Sequence, residues 1–347
     1  MKTHIDGTAP RTVEGRTIQD GRNIAIMGAG AIGSVIGGML ARQGHRVTLI
    51  GRQPHMEAIA RDGLHISGIW GEHTVRSLAA CTAPPVPCPD RQHAKHKDGY
   101  QDMVFITVKS FDTALAAREV LPLVGPDTMV ISMQNGLGNV ETLAGIVGRD
   151  RMVGGMAIFG AVMTGPGSVE VTVIASETLL GELDRPPAPR VEAAARMLDD
   201  AGIPTLVSDN IMRDIWHKAL YNIALNPLSA LFQVPYGRIA DNPHTRWLIG
   251  QMITEAFEVA RAEGIDLGLA SPQEFLQILW ERKLPPTREH RSSMLQDIVR
   301  GRRTEIDFIN GAVVRLGEEH GIGTPYNSAV VRMVKAKEGL GLSVNTE

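Results

Sequence analysis

The sequence has few cysteines and no excess of positive charge, and each shortage excludes a class of protein. Two cysteines in 347 residues are too few for the disulfide framework of a secreted protein, so a reducing cytoplasm is the predicted location. A formal net charge of −3 offers no broad basic field to a polyanion, so no nucleic-acid partner is expected. What remains is the composition of an ordinary globular protein with a small-molecule partner.

Long apolar runs are also missing. A membrane span needs about 20 successive apolar residues, and no window of the sequence approaches that length. Residues 1–22 hold Asp6, Glu14 and Asp20 and no apolar core, so they are interpreted as a flexible leader rather than a secretory signal. No membrane partner is therefore expected.

The apolar pattern changes near residue 208. From Asn23 to about Val207, short apolar runs alternate with amphipathic stretches, which is typical of strands and helices around a mostly parallel sheet. Beyond that point, helical spacing continues over three long stretches, at Ile211–Phe232, His244–Glu263 and Glu305–His320. The sequence predicts an α/β domain at residues 23–208 and an all-helical domain at residues 209–340.

Individual elements can be placed in the first of these domains. The predicted strands are Asn23–Met27, Arg46–Ile50, Met103–Val108, Thr128–Ser132 and Met152–Ile158. The predicted helices are Ala31–Gln43, Thr113–Leu121 and Asn139–Val147. Their alternation favours a doubly wound sheet.

A glycine-rich turn follows the first predicted strand. The sequence GAGAIG at Gly28–Gly33 opens the helix that comes next. Gly28 would permit a tight turn, Gly30 would let the backbone approach a pyrophosphate, and Gly33 would allow close packing of helix on strand. The N–H groups of the helix N-terminus would stabilise the phosphate charge. Strand, turn, helix and second strand together predict a Rossmann-type dinucleotide site formed by Gly28, Ala29, Gly30, Ala31, Ile32 and Gly33.

An arginine stands where an NAD enzyme usually has an acidic residue. The second strand ends at Ile50, and Gly51 and Arg52 follow. A guanidinium can hold the 2′-phosphate of NADP with paired hydrogen bonds, whereas a carboxylate would repel it. NADP is therefore the predicted cofactor, and a solvated surface arginine is the alternative.

Three polar side chains recur at four-residue steps in the stretch WHKALYNIALNPL at Trp216–Leu228. On a helix, Lys218, Asn222 and Asn226 would share one face among apolar neighbours. A helix with one solvated stripe has the same pattern, so spacing alone leaves both interpretations open. Because a proline follows Asn226, the helix is expected to end or bend there.

Other candidate residues follow strands or begin a helix. Thr304 and Asp307 have the spacing of a capping box, which predicts a helix start with Glu305 in its first turn. An acid is favoured there for electrostatic reasons alone. Lys109 and Asn135 each follow a predicted strand, on the side of the sheet where α/β proteins bind ligands, although both are also typical turn residues.

The stretch from Cys81 to Gly99 is rich in proline and is interpreted as a surface loop. It contains four residues of zinc-ligand types, Cys81, Cys88, His93 and His96. The six-residue gap between the cysteines differs from the usual short spacing of zinc ligands, so no metal site is predicted.

Taken together, these segments resemble the ketopantoate reductase family. The matching segments span nearly the whole chain after the leader, and their order and separations also fit. They are GAGAIG at Gly28–Gly33, Arg52, TVK at Thr107–Lys109, QNGLG at Gln134–Gly138, WHKALYNIALNPL at Trp216–Leu228, SSMLQD at Ser292–Asp297 and TEIDFING at Thr304–Gly311.

The resemblance implies NADPH-dependent reduction of a small 2-oxo acid, 2-dehydropantoate, to pantoate in pantothenate biosynthesis. It also implies that cofactor and substrate meet between a Rossmann domain and a helical domain. The implied proton donor is Lys218, with Glu305 as an acid close to the nicotinamide. The implied substrate-binding residues are Asn135, Asn222, Asn226 and Ser293, and the implied further cofactor contacts are Lys109, Asn135, Glu305 and the backbone of Ala161.

One position departs from the family pattern. Where the best-known members have a substrate-binding asparagine before a glycine, this chain has Tyr236 before Gly237. Other dehydrogenases also combine a Rossmann domain with a helical domain, so a related 2-hydroxy acid or opine-type dehydrogenase with another substrate is one alternative. A non-catalytic NADP-binding regulator is another. The oligomeric state stays open, with a homodimer among the alternatives.

Overall fold

The computed structural model describes residues 12–13, 16–17, 21–85 and 99–341. The chain divides into two compact units. The sheet unit comprises Met1–Val108, Asp112–Gln134 and Thr142–Asp209, and the helical unit comprises Lys109–Phe111, Asn135–Glu141 and Asn210–Glu347. Most of the predicted leader lies outside the described residues. Its described part includes the antiparallel pair of β1 (Thr12–Val13) and β2 (Arg16–Thr17).

The remaining described strands belong to the sheet unit. They are β3 (Asn23–Met27), β4 (Arg46–Ile50), β5 (Leu64–Gly68), β6 (His73–Val75), β7 (Leu78–Cys81), β8 (Met103–Ile106), β9 (Met129–Ser132), β10 (Met152–Met156), β11 (Phe159–Gly165), β12 (Ser168–Ile174), β13 (Thr178–Gly181) and β14 (Thr205–Val207). The helices of this half of the chain are α1 (Ala31–Arg42), α2 (Gln53–Asp62), α3 (Thr113–Val120), α4 (Asn139–Val147) and α5 (Pro189–Asp200).

An eight-stranded sheet forms the centre of this unit. Its strand order is β14-β13-β10-β9-β8-β3-β4-β7, and every pair is parallel except β10 with β13. Strands β8 and β9 are buried at every residue, as expected for parallel strands covered on both faces. Because β3 and β4 are parallel neighbours, the turns that follow them lie at the same edge of the sheet.

A second sheet, which the sequence analysis did not predict, has the order β11-β12-β5-β6. Helix α1 packs against β11 and β12. The signal for β12 was present in the sequence, because Val169 and Val171 alternate with polar residues and are fully buried. The five predicted strands all occur, although β8 and β10 end two residues earlier than expected.

The described part of the chain beyond Asn210 is helical, so the predicted fold class is confirmed. Its helices are α6 (Ile211–Phe232), α7 (Tyr236–Asp241), α8 (Pro243–Ala262), α9 (Pro272–Ile278), α10 (Ser293–Val299), α11 (Asn310–His320) and α12 (Pro325–Leu340), with a π-helical turn at Leu279–Lys283 and a 3₁₀ turn at Ile306–Phe308. Among the residues described, no helix is both long and apolar enough to span a membrane.

Side-chain caps fix the ends of the long helices in this unit. The Asn210 side chain accepts a hydrogen bond from Arg213 N at 3.0 Å and starts α6. The buried carboxylate of Glu255, on α8, accepts hydrogen bonds from the backbone N–H groups of Tyr326 and Asn327 at 2.8 and 2.9 Å. These bonds satisfy the first turn of α12 and join the two helices across an apolar core.

The expected end of α6 at Asn226 is wrong, because the helix continues through Pro227 to Phe232. Proline lacks the N–H that would pair with the carbonyl four residues earlier. That carbonyl belongs to Ile223, and it accepts a hydrogen bond from Asn310 Nδ2 at 3.4 Å instead. The replacement partner lets the helix extend past the proline.

The expected helix start at Thr304 is also wrong. Thr304 Oγ1 accepts a hydrogen bond from Ile306 N at 3.3 Å, and a 3₁₀ turn follows. Ile309, with φ −108° and ψ −98°, interrupts the helical path, so α11 begins at Asn310. Glu305 therefore precedes a short turn and does not lie in the first turn of an α-helix.

Candidate active site

The glycine-rich turn after β3 has the geometry that its sequence predicts. Gly28 has φ +109°, and an added Cβ would lie 2.5 Å from Val108 N. At Gly33, an added Cβ would lie 2.4 Å from Gly28 O and 2.5 Å from Thr107 Oγ1, so α1 can approach the strands only without a side chain there. At Gly30, by contrast, the nearest such atom is 4.0 Å away. The turn is closed on its protein side and open at Gly30.

The start of α1 is suited to an anion. Gly30 caps the helix without a side-chain hydrogen bond, and the first turn has no acidic residue. The backbone N–H groups of this first turn carry the positive end of the helix dipole. The predicted contacts Ala29, Ala31 and Ile32 lie next to Gly30 at the same turn.

Arg52 is exposed and caps the N-terminus of α2, directly after β4. Among the described residues, none forms a hydrogen bond or ion pair with its guanidinium. Ala161, the other predicted contact in this unit, lies at an irregularity in the pairing of β11 with β12. The sheet unit therefore holds the glycine turn, Arg52 and Ala161.

The helical unit brings most of the other predicted residues around one pocket. Asn222 and Asn226 line it from α6, and Ser293 lines it from the first turn of α10. Asn135 and Glu305 complete the predicted part of the lining, and Met294, Asp297 and Ile309 are the additional lining residues. Asn222 and Asn226, one turn apart on α6, thus line a polar pocket, and Asn226 is buried rather than solvated.

Glu305 is buried, and both of its carboxylate oxygens have partners. Oε1 accepts a hydrogen bond from Ser110 N at 2.9 Å and lies 2.8 Å from Ser110 Oγ. Oε2 accepts a hydrogen bond from Lys109 Nζ at 3.0 Å. These three contacts hold the carboxylate in one orientation beside the pocket.

Lys109 bridges two carboxylates. Its Nζ lies 2.9 Å from Asp297 Oδ2 and 3.0 Å from Glu305 Oε2. Burial alone would lower the pKa of Lys109, but the charges of Glu305 and Asp297 outweigh burial and raise it. Lys109 therefore stays charged and balances two acids that would otherwise repel each other.

Lys218 lies one helical turn before Asn222 on α6. Burial of its ammonium group lowers the pKa to about 8, and the nearby charge of Glu305 acts in the opposite direction and raises it. A lysine with this pKa is mostly protonated at neutral pH and can still lose its proton readily. It has the properties of an acid in catalysis.

A second turn with an essential glycine places Asn135 at the pocket. Gly136 has φ +85°, and an added Cβ would lie 2.5 Å from Phe308 O. The next residue, Leu137, donates its backbone N–H to the same carbonyl at 2.8 Å. The QNGLG turn is thereby fixed against the 3₁₀ turn that follows Glu305.

Asn226 has a polar partner behind the pocket. Its Oδ1 accepts a hydrogen bond of 2.6 Å from the hydroxyl of Tyr236, and both side chains are buried. The backbone carbonyl of Asn226 accepts a hydrogen bond from Ser292 Oγ at 3.3 Å. Tyr236, the position that departs from the family pattern, thus contacts a pocket residue from the protein side.

Sequence reasoning missed two members of this cluster, Ser110 and Asp297. Asp297 lies four residues after Ser293 on α10, so helical spacing could have placed both on one face. Ser110 has no comparable signal, because its bond to Glu305 joins residues 195 positions apart. Of the four residues considered as zinc ligands, Cys81 is a free thiol at the end of β7, and the other three lie outside the described residues.

Two family models match the chain. The model described as "Ketopantoate reductase PanE/ApbA" matches residues 24–185, and "Ketopantoate reductase PanE/ApbA C terminal" matches residues 210–338. The 2-dehydropantoate 2-reductase of Aquifex aeolicus is 37% identical over an alignment of 319 residues, and the alignment covers 90% of this chain and 96% of that protein. The enzyme of the same name from Pyrococcus horikoshii is 38% identical over 318 residues, covering 92% and 98%.

Two solved structures are similar to this chain over nearly its whole length. The crystal structure of a PanE/ApbA family ketopantoate reductase from Ralstonia eutropha JMP134 is 33% identical, with a TM-score of 0.77, and covers 92% of this chain and 99% of its own. A ternary structure of D-mandelate dehydrogenase with NADH and anilino(oxo)acetate is 27% identical, with a TM-score of 0.79, and covers the same two shares. The fold is thus shared by proteins named for two different substrates.

Proposed function

Because this chain belongs to the ketopantoate reductase family, we propose that it reduces 2-dehydropantoate to pantoate with NADPH as the reductant. The observation that carries the proposal is the pocket of the helical unit, where three amides and a hydroxyl line a site together with Glu305, whose charge acts on Lys218. Amide and hydroxyl groups suit a substrate that has carboxylate, carbonyl and hydroxyl oxygens. The reaction would supply pantothenate biosynthesis in the cytoplasm.

Reducing a ketone requires hydride at carbon and a proton at oxygen. NADPH supplies the hydride when it is bound. Lys218 stabilises the negative charge that develops on the carbonyl oxygen and then donates its proton to that oxygen. Asn222, Asn226 and Ser293 hold the oxygens of the substrate, which keeps the carbonyl oriented toward Lys218.

In this proposal Glu305 acts through its charge. Its carboxylate is fixed by Ser110 and Lys109, so it cannot turn freely toward the substrate. Its negative charge favours the protonated form of Lys218, which is the form that can donate. Asn135, on the opposite turn, adds an amide to the same pocket.

The residues of the sheet unit fit a phosphorylated dinucleotide. A side chain at Gly30 would fill the open side of the turn, and the bare helix N-terminus can take a pyrophosphate. Arg52 has the position and the exposure to bind the 2′-phosphate that distinguishes NADPH from NADH. The Ala161 backbone is a further proposed cofactor contact of this unit, and Lys109, Asn135 and Glu305 are proposed contacts of the helical unit.

The test is a panel of 2-oxo acids offered with NADPH and with NADH, followed by the loss of absorbance of the reduced nicotinamide. We expect 2-dehydropantoate with NADPH to give the highest kcat/KM. A flat trace for every acid would contradict the proposal and support a non-catalytic NADP-binding protein. Activity that depends on an added amine would support an opine-type dehydrogenase.

A second candidate substrate follows from the likeness to D-mandelate dehydrogenase, whose structure contains NADH and anilino(oxo)acetate. Tyr236 replaces the family's asparagine, so an acid without a hydroxyl group is a reasonable alternative. Phenylglyoxylate, the 2-oxo acid that corresponds to mandelate, represents this alternative in the panel. A higher kcat/KM for phenylglyoxylate with NADH than for 2-dehydropantoate with NADPH would favour it.

A further inference from the structure

Tyr236 is held firmly behind the pocket. Its backbone N–H donates to His290 O at 3.1 Å, and that of Gly237 donates to Arg288 O at 2.8 Å. The ring packs edge-on against Tyr221 and lies 5.1 Å from the ring of His290. With 2% of its surface exposed, Tyr236 cannot change conformation without disturbing these neighbours.

The hydroxyl of Tyr236 is a donor in its bond to Asn226. Burial raises the pKa of Tyr236 well above its usual value of 10, so the phenol keeps its proton. That proton lies on the 2.6 Å bond to Asn226 Oδ1, because the reverse arrangement would leave a buried O–H without an acceptor. The amide of Asn226 must then direct its Nδ2 away from Tyr236.

Asn226 also lines the pocket, so its Nδ2 is the atom available to a ligand there. No described residue accepts a hydrogen bond from this nitrogen. Asn226 is 5% exposed, and its nitrogen is not among the fully buried atoms of the described residues that lack a partner, so its small exposed surface faces the pocket. The site is therefore built for a ligand atom that accepts a hydrogen bond.

We propose that Tyr236 is a positioning residue that fixes Asn226 as a hydrogen-bond donor to the carboxylate of the 2-oxo acid. This inference rests on the proposed function. A carboxylate only accepts hydrogen bonds, and its charge strengthens a bond from an amide N–H. A substrate hydroxyl could accept the same bond, but it has no negative charge to strengthen it, and it could not donate in return to the oxygen that Tyr236 already occupies. The pair therefore recognises the group that all 2-oxo acids share.

The test compares two substrates that differ by one hydroxyl group, 2-dehydropantoate and 3,3-dimethyl-2-oxobutanoate. Tyr236→Phe removes only the hydroxyl that orients Asn226, and we expect KM to rise about fivefold for both substrates with kcat little changed. The matched control is Tyr221→Phe. Tyr221 lies on α6, as Asn226 does, and its hydroxyl is hydrogen-bonded to Thr287 at 2.8 Å instead of to Asn226. This control should leave both KM values unchanged.

Two further variants test whether Tyr236 acts through Asn226. In an Asn226→Ala background, adding Tyr236→Phe should leave KM unchanged, because the group that it orients is gone. Asn226→Asp keeps an acceptor for Tyr236 but presents an oxygen to the substrate carboxylate. It should raise KM more than Asn226→Ala does, and this comparison holds even if Tyr236→Phe does not fold.

Each other outcome has a definite meaning. If Tyr236→Phe keeps the wild-type KM while wild type and Tyr221→Phe reduce both acids, the positioning role is wrong and the proposed function stands. A rise in KM confined to 2-dehydropantoate would assign Asn226 to the substrate hydroxyl and overturn the inference. If the wild type reduces no 2-oxo acid, the proposed function fails, and the inference fails with it.

Discussion

The glycine turn of the sheet unit and the polar pocket of the helical unit differ in the atoms from which they are built. The turn uses the backbone of six consecutive residues, and its glycines matter because of the side chains that they lack. The polar lining of the pocket is made of side-chain amides, one hydroxyl and two carboxylates, which come from Asn135 and from separate segments beyond residue 210.

This difference predicts opposite sensitivities. Added atoms should damage the turn, because space and backbone conformation define it. Removed atoms should damage the pocket, because its function depends on individual polar groups. The substitutions below test that contrast.

The largest effect is expected from removing the amine of Lys218. Lys218→Ala should lower kcat by at least about 10²-fold, the lower range for loss of a positioned acid, and leave NADPH affinity nearly unchanged. Steady-state kinetics and a fluorescence titration with NADPH measure the two quantities. Lys337→Ala is the matched control, because Lys337 Nζ donates to Leu231 O at 2.6 Å, and burial lowers the pKa of Lys337 without the contribution of Glu305 that acts on Lys218. A near-normal kcat for Lys218→Ala would remove Lys218 from the mechanism.

Next in size is the effect of adding a methyl group at Gly33. Gly33→Ala should lower the free energy of unfolding by about 1–3 kcal/mol, because the new Cβ meets a backbone oxygen and Thr107. Gly30→Ala is the control. Its Cβ has open space, so it should change stability little and instead weaken NADPH binding. Denaturant unfolding without cofactor compares the two variants, and equal stability losses would contradict the proposed division of roles.

A smaller effect is expected at Arg52, which contacts the cofactor through one side chain. Arg52→Asp should reduce the ratio of kcat/KM for NADPH to that for NADH by about tenfold or more, because a carboxylate repels the 2′-phosphate. Arg61→Asp, at the exposed far end of α2, controls for the change in net charge. If Arg52→Asp kept its preference for NADPH, the phosphate assignment would be wrong.

The smallest change is a shift in pH dependence at Glu305. Reduction needs protonated Lys218, so kcat should fall as the pH rises through the lysine pKa of about 8. Because the charge of Glu305 raises that pKa, Glu305→Gln should move the falling limb to lower pH. Profiles of kcat against pH measure the shift, with Glu281→Gln as an exposed control. A limb that stayed in place would show that the two groups are not coupled.

Sequence patterns predicted the regions whose structure depends on residues close together in the sequence. The turn at Gly28–Gly33 and the stripe on α6 follow from contiguous motifs and helical spacing, and the structure has both. The surroundings of Glu305 could not be predicted in this way. Thr304 and Asp307 have a capping-box spacing, but the Thr304 hydroxyl binds the nearer N–H of Ile306. Tertiary contacts with Ser110 and Lys109 then decide where the carboxylate lies.

The same limit applies to the second sheet and to Tyr236. Strands β5, β6 and β11 are short or irregular, and their pairing joins distant parts of the chain, such as β5 with β12. The departure at Tyr236 is visible in the sequence, yet its partner Asn226 is known only once α6 and α7 are placed together.

Pro227 affects the order in which parts of this protein can fold during its synthesis. The carbonyl of Ile223 receives its side-chain partner from Asn310, which lies 87 positions further along the chain. While the ribosome is still making the intervening residues, water must take the place of that partner. The helix that bears the pocket therefore reaches its final hydrogen bonding only after most of the carboxyl-terminal half has emerged.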